Sequence, residues 1–149
     1  MLKKFVVFTF VVTLMGCSVT VPIVAKKQDG MVFIGQAKAG ITQSEGKIEL
    51  YNDEIGVECH GAYDQWTMDS LLRVKLTCSD GSTGVANMLR TDDSLNGSGE
   101  GYLTHPDGSK ERILAAFGES VLKEHNSPAF WRNIDVNIHH TQDQETTVK

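Results

Sequence analysis

Three cysteines, Cys17, Cys59 and Cys78, carry the most versatile chemistry in this 149-residue chain. A thiol can take a lipid, a metal, a substrate carbonyl or a second thiol, and spacing chooses among these. No Cys-x-x-Cys is present, which removes the usual redox and zinc signatures. His139 and His140 are adjacent, so in a strand they face opposite ways and do not suit one metal. His60 and His105 fall at predicted strand positions, and as single imidazoles they read as solvated surface groups rather than zinc or copper ligands. Asp92-Asp93 lacks the spaced oxygen ligands of a calcium loop. Gly-x-Ser-x-Gly, the phosphate-binding loop and His-Glu-x-x-His are all missing. The expectation is therefore no metal, no cofactor and no assigned catalytic residue. A Ser/His/acid site assembled from distant positions stays open, because such triads are recognised by geometry.

The segment that leads to Cys17 has three parts. Lys3 and Lys4 are basic, residues 5–15 are an apolar or hydroxyl run, and Gly16-Cys17 closes it. A membrane-spanning helix needs about 20 such residues, so this run is a signal-peptide core in length. Leu14-Met15-Gly16-Cys17 resembles the lipobox of bacterial lipoproteins: Leu14, Gly16 and Cys17 match, and Met15 is bulkier than the usual small residue. The resemblance implies cleavage before Cys17, thioether diacylation there with palmitate-type chains, and attachment to a membrane. Two or three acyl chains make such attachment stable where one is marginal. Ser18 follows the cysteine, and in enteric-type sorting this resembles the outer-membrane default, facing the periplasm or the surface.

Removing residues 1–16 leaves 133 residues and moves the formal charge from −5 to −7, since Lys3 and Lys4 are lost. That length suits one domain. An acidic domain without a basic stripe is a poor nucleic-acid partner. With Cys17 used by lipid, Cys59 and Cys78 remain as an even pair in an oxidising compartment. A disulfide is expected, worth about 3 kcal/mol for a loop of about 20 residues.

The elements that must place these groups are strands. Leu72, Val74, Leu76 and Cys78 share one face of a period-two segment, while Arg73, Lys75 and Thr77 share the other. Ile55, Val57 and Cys59 alternate likewise, so both sulfurs fall on apolar faces, in a core shared with Val57, Val74 and Leu76. Residues 32–34 and 47–50 are further short strands. Asp80-Gly81, Asn96-Gly97 and Asp107-Gly108 are hairpin dipeptides of the type I′ kind, although residues 91–94 before Asn96 could extend that connection into a longer loop. Residues 76–82 match residues 103–109 at five of seven positions, offset by 27, which suggests a repeated hairpin in an antiparallel meander. Gly97, Gly99 and Gly101 leave one strand face bare. An aromatic such as Trp66, Tyr102 or Phe117 packing over it, or a sharp bend, is preferred to a flat ligand. This stretch is similar to MORN-type hairpin repeats in its Gly-x-Gly and Asp-Gly spacing but lacks most of their aromatic positions. The wider layout resembles small bacterial envelope lipoproteins, a likeness that implies no activity.

After Gly118, residues 119–125 read as about two helical turns, Ser127-Pro128 as a new helix start, and residues 129–131 as one short turn. Ile134, Val136 and Ile138 alternate as a last strand. The domain reading is a signal peptide at 1–16, a lipidated tether at 17–20, one β domain at 21–140 and a flexible tail at 141–149. The expected fold is all-β: an antiparallel meander of six to eight short strands, closed as a small barrel or stacked as a sandwich, with a short C-terminal helix. The expected role is a lipid-anchored, non-enzymatic binding or interaction module whose partner is the membrane through Cys17 and an envelope protein or glycan. The competing role is a small envelope hydrolase with a dispersed site.

Overall fold

The computed structural model describes residues 17–91 and 95–146, with side chains described as far as residue 140. Eight strands run in chain order: β1 (Ser18–Lys27), β2 (Val32–Gly40), β3 (Glu45–Asn52), β4 (Val57–Asp64), β5 (Leu71–Cys78), β6 (Thr83–Arg90), β7 (Gly97–Thr104) and β8 (Lys110–Phe117). Each pairs antiparallel with its neighbour, and β1 also pairs with β8 from Ile23↔Phe117 to Lys27↔Ile113, closing a barrel. Of the two architectures open in the sequence, the chain forms the barrel, in which every strand has a neighbour on both sides.

Period two sorts the side chains. Leu72, Val74, Leu76 and Cys78 point inward as expected and join Ile23, Phe33, Ile48, Leu50, Met88, Leu103 and Ile113 in one interior cluster. Cys59 and Cys78 are direct cross-strand partners, 3.9 Å apart at Cα, and are disulfide-bonded. Val57 packs half-buried against the same cluster. Gly99 and Gly101 are buried where β7 runs against β6; a Cβ on Gly99 would lie 1.9 Å from the Asn87 carbonyl oxygen. The bare stripe is thus filled by neighbouring backbone, and at Gly97 by the Phe117 ring, 2.5 Å from an added Cβ.

The hairpin turns differ from expectation. At Asp80-Gly81 the Gly81 N–H donates to the Cys78 carbonyl, and the Cys78 N–H to the Ser82 carbonyl. His105, Gly108 and Ser109 repeat both bonds. These are three-residue loops in which the glycine, at φ +87° in both, takes the left-handed position. The repeat therefore encodes one loop geometry twice. Asn96-Gly97 is no turn: Gly97 opens β7, and the connection before it is the longer loop.

Two boundaries also move. Ser18, Val19 and Thr20 pair with Gly40, Ala39 and Lys38, so the expected four-residue tether is strand from its second residue. At the other end, α1 (Val121–Glu124) is followed by α2 (Pro128–Thr146), a 19-residue helix. It takes in Ile134, Val136 and Ile138, which were expected as a strand, and most of the expected flexible tail. Trp131 and Ile134 are buried on the outside of the barrel over Val24 and Ala116, with Phe130 and Ile138 beside them, while Val136 is exposed. Arg112 on β8 holds the helix by bonding Asp135 at 2.6 Å.

Candidate functional site

The barrel has two unlike ends. The first carries the β1–β2, β3–β4, β5–β6 and β7–β8 turns. Here three aspartates each accept the backbone N–H two residues on: Asp29 from Met31, Asp80 from Ser82 and Asp107 from Ser109. Those N–H groups hold the Asp29 and Asp80 carboxyls below the usual range. For Asp107 the Ser109 hydroxyl acts first and the N–H second. Burial opposes the charge on Lys27, but bonds to Glu111 and Asp29 overcome it and raise its pKa.

A Ser–His–carboxylate line crosses this end. Ser82 Oγ lies 2.8 Å from His105 Nδ1, and His105 Nε2 lies 3.1 Å from Glu111 Oε2, which Lys27 Nζ also meets at 2.9 Å. This is the order of groups that nucleophilic catalysis uses. Two features oppose that use. Ser82 is only 1% exposed, so its hydroxyl meets no substrate. Its N–H, which would serve a developing oxyanion, is already given to Asp80. What the line does is tie the β5–β6 turn to the β7–β8 turn. Sequence reasoning weighed His105 only as a metal ligand and passed over Ser82 and Glu111. The one available signal was that Ser82 and His105 occupy the two turn copies of the repeat.

Acid should loosen this end. A carboxylate whose folded pKa lies below its unfolded value, about 3.9 for aspartate, adds stability above that pH and loses it as pH falls through the folded value. The melting temperature should therefore fall as pH drops below about 4. In Asp80→Asn/Asp107→Asn the decline should be shallower. An acid limb of equal slope in the variant would contradict this account.

The other end is open. Val21, Ile23, Ala37, Ala39, Ile48, Val74, Met88 and Phe117 line an apolar cavity of about 240 Å³. That is small beside pockets for drug-sized ligands. Below it the interior closes to a void of about 10 Å³. Tyr63 lies across one wall against the bare backbone of Gly46, where a Cβ would meet its ring at 2.1 Å. Burial raises the Tyr63 pKa, and the Arg90 charge opposes that rise only partly.

Polar groups in the lining are few. Arg90 Nη2 donates to the carbonyls of Thr67 and Asp69, and among the described residues no carboxylate pairs with it. Gln65 Nε2 donates to the carbonyls of Gly40 and Gln43. Those two acceptors fix which end of the amide is nitrogen, and its Oε1 is left as a buried acceptor without a partner. An apolar cavity that opens at one end of the barrel and has a cation in its wall suits an apolar chain bearing a polar head.

Of the residues singled out from sequence, Cys17 is exposed at the open end, and Cys59 and Cys78 are joined. His60 is exposed on β4, and His139 and His140 on α2. Among the described residues no three metal-binding side chains gather. Asp92 and Asp93 lie outside the described residues. No protein-family model matches the chain, and no curated protein matches it either.

Proposed function

We propose that this protein is a lipid-anchored lipoprotein of the bacterial envelope, attached through Cys17, whose barrel is a non-enzymatic binding module for a small apolar ligand. Ser18 favours the outer membrane where the cell has two. The observation that carries the binding reading is the apolar cavity at the open end, an interior space that the packed core leaves unfilled.

The fluorophore N-phenyl-1-naphthylamine, which brightens in apolar surroundings, tests it. It should bind the protein one to one and lose at least tenfold in affinity in Ala39→Trp, where an indole is added to the cavity wall. Equal binding by both proteins would refute the site. The anchor has its own test. Fatty-acid label should enter the wild type and leave Cys17→Ser unlabelled; label in the variant would refute lipidation at Cys17.

The Ser82–His105–Glu111 line favours the competing hydrolase reading, and a fluorophosphonate separates the two. No adduct should form on the native protein, because Ser82 is enclosed. An adduct at Ser82 that disappears in His105→Ala would establish the hydrolase instead.

A further inference from the structure

Apolar side chains are gathered around the open end. Val19 on β1, Ile41 in the β2–β3 loop, Trp66 and Met68 in the β4–β5 loop, Leu71 and Leu89 on paired strands, and Leu95 before β7 are all exposed. Met68 is 96% exposed. The loops at the opposite end are polar turns in which only Ile55 exposes a large apolar side chain among the described residues. An apolar rim of this kind on one face marks an interaction surface.

The course of the chain says what covers it. Cys17 immediately precedes β1, and its carbonyl accepts the Ile41 N–H at 3.4 Å, which seats it in the rim itself. Any lipid carried by Cys17 joins the barrel at this same point. An anchor at Cys17 would therefore bring the open end toward the membrane. The rim acids Glu45, Asp64 and Asp69 are exposed, so an uncharged bilayer surface suits it better than an anionic one.

We infer that the open end is a bilayer-facing mouth: the rim enters the membrane interface, and the cavity takes the acyl chain of a single-chain amphiphile whose head group lies at Arg90 and Gln65. This rests on the anchored binding module proposed above. It adds the orientation of that module and the class of its ligand. The chain would fill the space between Met88, Val74 and Ile23. An anionic head oxygen would accept from the Arg90 guanidinium, and carboxylate and phosphate heads share this chemistry.

Vesicles of phosphatidylcholine brominated on the acyl chains test the docking with the processed, full-length protein. Trp66 stands on the rim while Trp131 is buried beneath α2. Quenching should therefore fall on Trp66, vanish in Trp66→Phe, and be lost in Met68→Glu/Leu71→Glu while that variant stays on the vesicles through its anchor. Protein that binds vesicles with Trp66 unquenched would overturn the inference and leave the anchor intact. Protein that never binds them would overturn the anchored reading itself. For the head group, laurate and dodecanol share a chain length. Arg90→Leu should weaken laurate about tenfold and dodecanol less than twofold, with Arg90→Lys keeping most of the laurate affinity. Equal losses of both would show that Arg90 only braces the β4–β5 loop. Lysophosphatidylcholine distinguishes the source: whichever of it and laurate binds more tightly names the head, and failure of both overturns the ligand class.

Discussion

Reducing the Cys59–Cys78 bridge should lower the melting temperature by roughly 10–15 °C. The two cysteines are register partners on β4 and β5, and both are buried in the barrel interior. In the chain-entropy account, a loop of about 20 residues is worth about 3 kcal/mol, a large share of the stability of a small domain. Mild reductant should leave the native bridge intact, because the sulfurs are enclosed, and should cut it rapidly once the barrel is opened by heat or urea. Thermal unfolding of oxidised, reduced and Cys59→Ala/Cys78→Ala protein checks this. Equal midpoints for the oxidised and reduced forms would contradict it.

Trp131→Ala should release the C-terminal helix and cost about 3–5 kcal/mol. Trp131 is buried over Val24 and Ala116, donates its indole N–H to the His125 carbonyl at 2.7 Å, and carries the Lys26 ammonium 5.7 Å from its ring. Its cluster is separate from the one inside the barrel. The variant should thus keep its sheet and its apolar cavity while α2 becomes open to protease. Limited proteolysis with far-ultraviolet circular dichroism measures both. A helix as protected in the variant as in the wild type would show that the Arg112–Asp135 pair holds it unaided.

Much of the barrel was legible because alternation is a local signal. Leu72 to Cys78 announced their inner face, and Val57 and Cys59 theirs, which placed the bridge correctly; Ile55, expected on that same face, instead lies in the β3–β4 turn and is exposed. The helix was misjudged for a physical reason. Ile134, Val136 and Ile138 fit a period of two, yet Trp131, Ile134 and Ile138 also fit one helical stripe, and only the buried Trp131 and exposed Val136 decide between them. Val19 and Thr20 are good strand formers, but with Ser18 they looked like tether because they follow Cys17, and their pairing with β2 is non-local information.

The candidate site was almost invisible in the sequence. The cavity exists because eight strands close with small residues such as Ala37 and Ala39 near one end, and no single strand reveals that. Ile41, Trp66, Met68 and Leu95 sit in loops, where apolar residues have no period to declare a shared direction. Ser82, His105 and Glu111 come from separate elements and meet only when the turns are brought side by side.

The location of a bound chain is the most direct test of the account. In a complex of deuterated, methyl-protonated protein with protonated laurate, nuclear Overhauser contacts should run from the laurate methyl terminus to Met88, Val74 and Ile23, and from the carbons nearest the carboxylate to Val19 and Leu95 at the mouth. Contacts confined to the outer face of the barrel, with Met88 untouched, would contradict it.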